Sequence, residues 1–273
     1  MTVNQRIKSN PVASSIISAL VLSFIYGGLI FFLWSLSEQL GRQALSLTSA
    51  AINVVFTILA IILFGIINQT NGFNHVFKTD GIKKGLLALT PVTMFFLLSL
   101  VVNTGSVPSL YEENVRAFPA IALMQITSSL VQNVLFRCLL ITALLVKLSS
   151  TDNERILSIF KASALYLIIY IPLNMLDGAN IGFMQLINTF VVGAGICAAY
   201  LYSKNLLSLV LVQGLWQMLG SIVDLFSTNA PPQVTLWVLI AWLIILISIV
   251  TFAIKFSKRA EPFLLQGEHN YAS

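Results

Sequence analysis

Eight long apolar runs occupy most of the chain, at 11–36, 44–67, 84–104, 119–147, 158–176, 181–203, 206–226 and 233–256. Each is close to the ~20 residues a helix needs to cross the hydrocarbon core of a bilayer. Apolar residues are continuous along each run rather than alternating, which excludes strands of a barrel. In lipid the backbone must satisfy its own hydrogen bonds, so every run predicts a helix. Pro11, Pro119 and Pro231–Pro232 mark helix entrances, where a missing N–H costs little. Pro91 and Pro172 fall inside runs and predict kinks. The first run follows Arg6 and Lys8 like a signal peptide, but it is too long and lacks a small-residue cleavage pattern, so it reads as a retained anchor helix.

Composition agrees with this pattern. Hydrophobic residues make up 57% of the 273 and charged residues 9%, against about 25% charged in an ordinary soluble domain. Mean hydropathy is +0.90. A soluble fold of this size has too little polar surface to cover so much apolar area, which excludes a cytosolic enzyme, a secreted disulfide scaffold and a disordered protein. Cys138 and Cys197 both lie inside apolar runs and form no disulfide framework.

The net charge of +5 has a topological explanation. Alternating sides at each run puts Arg6, Lys8, Lys78, Lys83, Lys84, Lys147, Arg155, Lys161, Lys204, Lys255, Lys258 and Arg259 on the N-terminal side. Only Arg42 and Arg116 fall on the other, with Arg137 left inside a run. By the positive-inside rule the N-terminal side is cytoplasmic. The expected fold is therefore an all-α membrane protein: an eight-transmembrane-helix bundle with both termini cytoplasmic. It is a multi-pass protein of the cell membrane, and residues 1–273 form a single polytopic membrane domain. The bilayer is its first partner, and the basic excess needs no nucleic acid.

Three runs carry polar residues near mid-depth. The fourth has Gln132-Asn133-Val134-Leu135-Phe136-Arg137, the fifth Tyr166 and Tyr170, and the seventh Gln213-Gly214-Leu215-Trp216-Gln217. At ~1.5 Å per residue, Gln132 lies about 20 Å into its run and Tyr170 about 18 Å into its own. Asn133 with Arg137, Tyr166 with Tyr170, and Gln213 with Gln217 are spaced i,i+4 and are expected to share faces. Taken singly, amides and tyrosines are ordinary interhelical glue, worth roughly 0.6–2 kcal/mol each. Arg137 differs, because a guanidinium at this depth costs ~2.5 kcal/mol or more and demands acceptors.

These stripes, in this order, resemble the CPBP family, which comprises the Rce1-type CAAX prenyl proteases and the bacteriocin-processing and immunity proteins. The resemblance covers a core of about 119–222. The family's first motif is Glu-Glu-x-x-x-Arg, with Phe common before the Arg; Phe136 and Arg137 match its end, and Gln132 and Asn133 stand at the paired glutamates. The second motif, Phe-x-x-x-His, falls on Tyr166 and Tyr170. The third, His-x-x-x-Asn or Asp after a glycine-rich helix, falls on Gln213 and Gln217, following Gly193 to Asn205. The resemblance implies an eight-helix intramembrane scaffold and, in the family, glutamate- and histidine-dependent hydrolysis with debated metal involvement.

Here the family's catalytic positions hold Gln132, Asn133, Tyr170, Gln213 and Gln217. Amides do not titrate near neutrality and cannot act as a carboxylate base. Nor do they supply the anionic charge a metal site wants, so no metal or cofactor is expected. The two histidines, His75 and His269, lie outside the runs. Tyr111-Glu112-Glu113-Asn114-Val115-Arg116 contains a glutamate pair, but it is one residue short of the motif and is expected in an outer loop. The leading expectation is a pseudoprotease. Its pocket of Gln132, Asn133, Phe136, Arg137, Tyr166, Tyr170, Gln213, Trp216 and Gln217 would bind a peptide, a lipid or a membrane-protein partner. Bacteriocin immunity and cell-envelope or surface-protein maturation are the contexts the resemblance suggests. Two alternatives stay open: an active CAAX/CPBP-type endopeptidase with unusual residues, perhaps using Glu112 or Glu113, and a small transporter or lipid carrier.

Overall fold

The computed structural model describes residues 11–36, 39–68, 74, 76–103, 112–139, 141, 151–176, 182–225 and 235–260. Every regular element among them is helical. In chain order they are α1 (Pro11–Ser35), α2 (Arg42–Asn68), α3 (Ile82–Ala88), α4 (Thr90–Asn103), α5 (Glu112–Gln132), π1 (Asn133–Leu139), α6 (Asp152–Leu176), α7 (Phe183–Ser203), α8 (Leu206–Leu225) and α9 (Leu236–Arg259). Five of these are long and apolar enough to cross a membrane, or six if the bent pair α3–α4 is one span. Each apolar run of the sequence overlaps at least one of the helices.

Two proline positions show how local chemistry shapes the helices. The run at 84–104 is broken, with α3 and α4 meeting at 55°. Pro91 is the second residue of α4. It has no N–H to give the carbonyl of Leu87, four residues back, and its ring crowds that carbonyl. The Thr90 hydroxyl takes over, donating to Leu87 O at 2.8 Å. Pro119 is a correction: α5 begins at Glu112, so this proline lies inside the helix rather than at its entrance. The polar residues before it extend the helix past the apolar run, and glutamates suit the positive end of the helix dipole. The Glu112–Arg116 segment is thus helical rather than a loop. Helix α6 passes through Pro172 unbroken, and Pro231–Pro232 lie outside the described residues.

Helix α7 occupies the centre. Its residues 192–201 are all buried, and most are small: Gly193, Ala194, Gly195, Cys197, Ala198 and Ala199. Small residues let helix backbones approach closely when lipid provides no hydrophobic drive between helices. A Cβ added at Gly193 would lie 2.6 Å from Ser163 Oγ of α6, and one at Gly195 2.7 Å from Ile249 of α9 and 2.9 Å from Val92 of α4. The glycines therefore serve contacts inside this bundle. By contrast α1 and α9 turn Phe24, Phe32, Trp237 and Ile244 outward, as helices facing lipid tails do.

One end of the bundle is held by polar contacts. The turn between α7 and α8 places Asn205, fully buried, where its Nδ2 donates to Lys78 O at 2.7 Å and Asp80 O at 3.0 Å. Its Oδ1 accepts from Ser208 N and caps α8. Gly81, at φ 82°, permits this approach, since a Cβ there would strike Ser203 O. Nearby Tyr202 packs on Phe256 with ring centroids 4.7 Å apart. At the start of α6, Arg155 donates to Ala260 O and binds Asp152 at 3.0 Å. Lys78, Arg155, Lys204, Lys258 and Arg259 therefore all belong to this end.

Candidate intramembrane polar site

The site begins where α5 changes its winding. Asn133 is fully buried, and its Nδ2 donates to Ser129 O at 2.8 Å. That carbonyl would ordinarily accept from the Asn133 backbone N–H. A side-chain amide in this place competes with the helix's own ladder. From Asn133 the helix widens into π1, a form that recurs at functional sites. Within this wider turn Arg137 Nη1 donates to Gln132 O, five residues back, at 3.4 Å.

The amides then form a chain across two helices. Asn133 Nδ2 also donates to Gln213 Oε1 at 3.1 Å. Gln213 Nε2 donates to Gln132 Oε1 at 2.5 Å, and Gln217 Nε2 reaches the same oxygen at 3.4 Å. Ser129 Oγ donates to Val210 O and ties α5 to α8 one turn further on. Asn133 Oδ1 is buried with no partner among the described residues.

Arg137 is 2% exposed. Its guanidinium carbon lies 4.3 Å from the centroid of the Tyr166 ring, a cation–π contact worth about 0.5–2 kcal/mol. Its Nε is buried without a hydrogen-bond partner among the described residues. Beside it is a cavity of about 220 Å³. Six residues singled out from sequence line it: Gln132, Arg137, Tyr166, Gln213, Trp216 and Gln217. Asn133 is not in the wall but behind it. The side chains of Phe136 and Tyr170 lie outside the described residues.

Sequence reasoning did not place seven lining residues in the pocket: Phe95 and Phe96 of α4, and Asn188, Thr189, Val192, Gly193 and Ile196 of α7. Phe96 stacks on Trp216, with centroids 4.7 Å apart and planes within 4°. Two phenylalanines in an apolar run give no signal. Asn188 did carry one, as an amide inside a span; its Oδ1 is buried and unpartnered among the described residues.

No three His, Cys, Asp or Glu side chains converge among the described residues. The described polar groups of the wall are neutral or cationic. Such a set does not fit a divalent cation, which wants carboxylate, thiolate or imidazole. Glu112 and Glu113 start α5, and Gln132 is twenty residues further on, about 30 Å along the axis.

Residues 114–219 match the family model described as type II CAAX prenyl endopeptidase Rce1-like. This segment is Rce1-like. It runs from the first turn of α5 into α8, so it contains π1, the amide chain and the central helix α7, and it leaves out α1 to α4 and α9. No curated protein and no solved structure matches the chain. The Rce1-like segment, with the apolar helices around it, fits a multi-pass membrane protein.

Proposed function

We propose that this is a non-catalytic, CPBP-like membrane protein that binds a peptide, a lipid or a membrane-protein partner in the polar pocket around Arg137. The observation that carries this reading is the chemistry of the pocket wall. Its described polar side chains are amides, a threonine hydroxyl, a phenol and a guanidinium. None is a base near neutral pH, and peptide hydrolysis needs one to activate water. The 30 Å offset of Glu112 and Glu113 counts against an endopeptidase that uses them. Bacteriocin immunity or maturation of envelope and surface proteins is the setting we favour.

The same proposal includes eight spans in one domain, a CPBP-like core at 119–222, and both termini in the cytoplasm. It is supported by the gathering of Lys78, Arg155, Lys204, Lys258 and Arg259 at one end of the bundle. Single-cysteine labelling at positions 4, 110, 150 and 265 tests it: 4, 150 and 265 should label from the cytoplasmic side and 110 from the other.

Two experiments test the function. Purified protein incubated with apolar and prenylated peptides should release no fragments. Cleavage that disappears in Arg137→Ala would overturn the proposal. In native membranes, photo-crosslinking from Trp216 should capture a partner in wild type and lose it in Arg137→Ala.

A further inference from the structure

The binding reading leaves the occupant open, and the charge of the cavity narrows it. Arg137 is a buried cation without a counter-ion among the described residues. The acidic side chains described are Asp80, Asp152 and Glu154, and each is engaged at the basic end. Asp80 lies 3.7 Å from Lys78, Asp152 binds Arg155, and Glu154 closes a reciprocal cap with Thr151. Glu154 is also twelve residues from Tyr166, about 18 Å along α6. Asp224 lies seven residues beyond Gln217, about 10 Å further along α8. Glu113 is twenty-four residues before Arg137. Helices α4 and α7 contain no acidic residue, and by position along the axis no carboxylate of α5, α6 or α8 stands at the level of the guanidinium.

A buried charge is strongly disfavoured unless it is paired and hydrogen-bonded. Among the described residues, Arg137 has one carbonyl at 3.4 Å and one aromatic face as partners, and its Nε has none. The empty space lies against this side chain and is several times the ~30 Å³ share of one water. Its wall has two characters. Arg137, Gln217 and Thr189 offer donors, while Phe96, Trp216 and Val192 offer apolar surface.

We infer that the cavity takes the carboxylate head of a molecule with an apolar chain, and that this carboxylate is the counter-ion of Arg137. A guanidinium and a carboxylate match in charge and in planar shape. A phosphate monoester carries about −1.5 to −2 and would leave net negative charge buried beside a single cation. The head would meet Arg137 and Thr189, and the first carbons would lie on Trp216 and Phe96. The carboxylate could come from a fatty acid or from the free C-terminus of an apolar peptide.

The inference rests on the pocket being a binding site, and it can fail separately from that reading. The full chain, in discs of zwitterionic lipid, is titrated with dodecanoate and dodecanamide. A second arm uses an apolar hexapeptide with a free or an amidated C-terminus. A third uses dodecyl phosphate. In at least one of the first two arms the carboxylate should bind about tenfold or more tighter than its amide, and that arm identifies the source. Arg137→Gln should level carboxylate and amide, and Arg137→Lys should keep part of the preference. Val192→Trp, which fills the cavity and keeps the charge, should weaken both forms. Equal binding of carboxylate and amide in both arms overturns the inference, as does tighter binding of the phosphate. A preference that persists in Val192→Trp also overturns it, because the carboxylate would then bind elsewhere. Peptide cleavage would sink the non-catalytic reading and leave the carboxylate preference standing.

Discussion

Two of the buried polar clusters at helix contacts behave differently. In the first, α1, α2 and α5 meet around Asn53. Its Oδ1 accepts from the Tyr26 hydroxyl at 2.8 Å, and its Nδ2 donates to Thr127 Oγ1 at 3.1 Å and Met124 O at 3.2 Å. Thr127 in turn donates to its own helix at Leu123 O. The cluster is uncharged and closed. In the second, α4, α5, π1, α6, α7 and α8 surround the cavity. Gln132, Asn133, Gln213 and Gln217 bond to one another, yet Arg137 Nε, Asn133 Oδ1 and Asn188 Oδ1 have no partner among the described residues. A polar group buried without a partner costs about 1–3 kcal/mol, and a charged one more. The first cluster is glue between helices. The second leaves a buried cation under-paired among the described residues beside an unfilled space, which is the mark of a site.

Substitutions can test this contrast. The largest effect is expected at Gly193, which joins α6 and α7 at the cavity wall. Gly193→Val forces a side chain into Ser163 and should cost about 3 kcal/mol, read as loss of unfolding free energy in detergent; a near-neutral result would mean the two helices are not in close contact. Asn53→Leu should cost about 2 kcal/mol, since it removes the acceptor of the Tyr26 hydroxyl and the amide donor to Thr127 Oγ1 and Met124 O. If it proves harmless, the first cluster is not glue. Gln213→Leu removes two amide bonds from the second cluster and should cost about 1 kcal/mol, measured in the same unfolding series. Arg137→Leu is expected to change stability least, leaving it unchanged or raising it by about 1 kcal/mol. The guanidinium costs ~2.5 kcal/mol at depth, and the Tyr166 ring returns only about 0.5–2 kcal/mol of that. A loss of 3 kcal/mol or more would show that Arg137 is structural and would erase the difference between the clusters.

Much of the fold was legible because lipid leaves the backbone few choices. Apolar runs must become helices, so each run was readable, and Pro91 announced the break between α3 and α4. Pro119 was less readable, because the helix start depends on how the polar residues before the run are arranged. The candidate site was partly legible. Charge and amides inside apolar runs stood out, and six of the named residues line the cavity. Phe95, Phe96 and Thr189 were not visible, since nothing in an apolar run says which side chains end beside a void. The i,i+4 spacing of Asn133 and Arg137 was readable, but the widening of that turn into π1 was not.

The sequence by itself determined that the chain lives in a membrane, that its segments are helices, and that Arg137 has no acid nearby on its own helix. Those conclusions rest on transfer energies and on rise per residue, which are local quantities. Only the tertiary structure decided that α7 lies at the centre and that Gln132 accepts from both Gln213 and Gln217. It also decided that Arg137 rests on Tyr166 beside an unfilled space. Such facts depend on how close two helices come, and that distance is fixed by side chains far apart in sequence, such as Gly193 and Ser163.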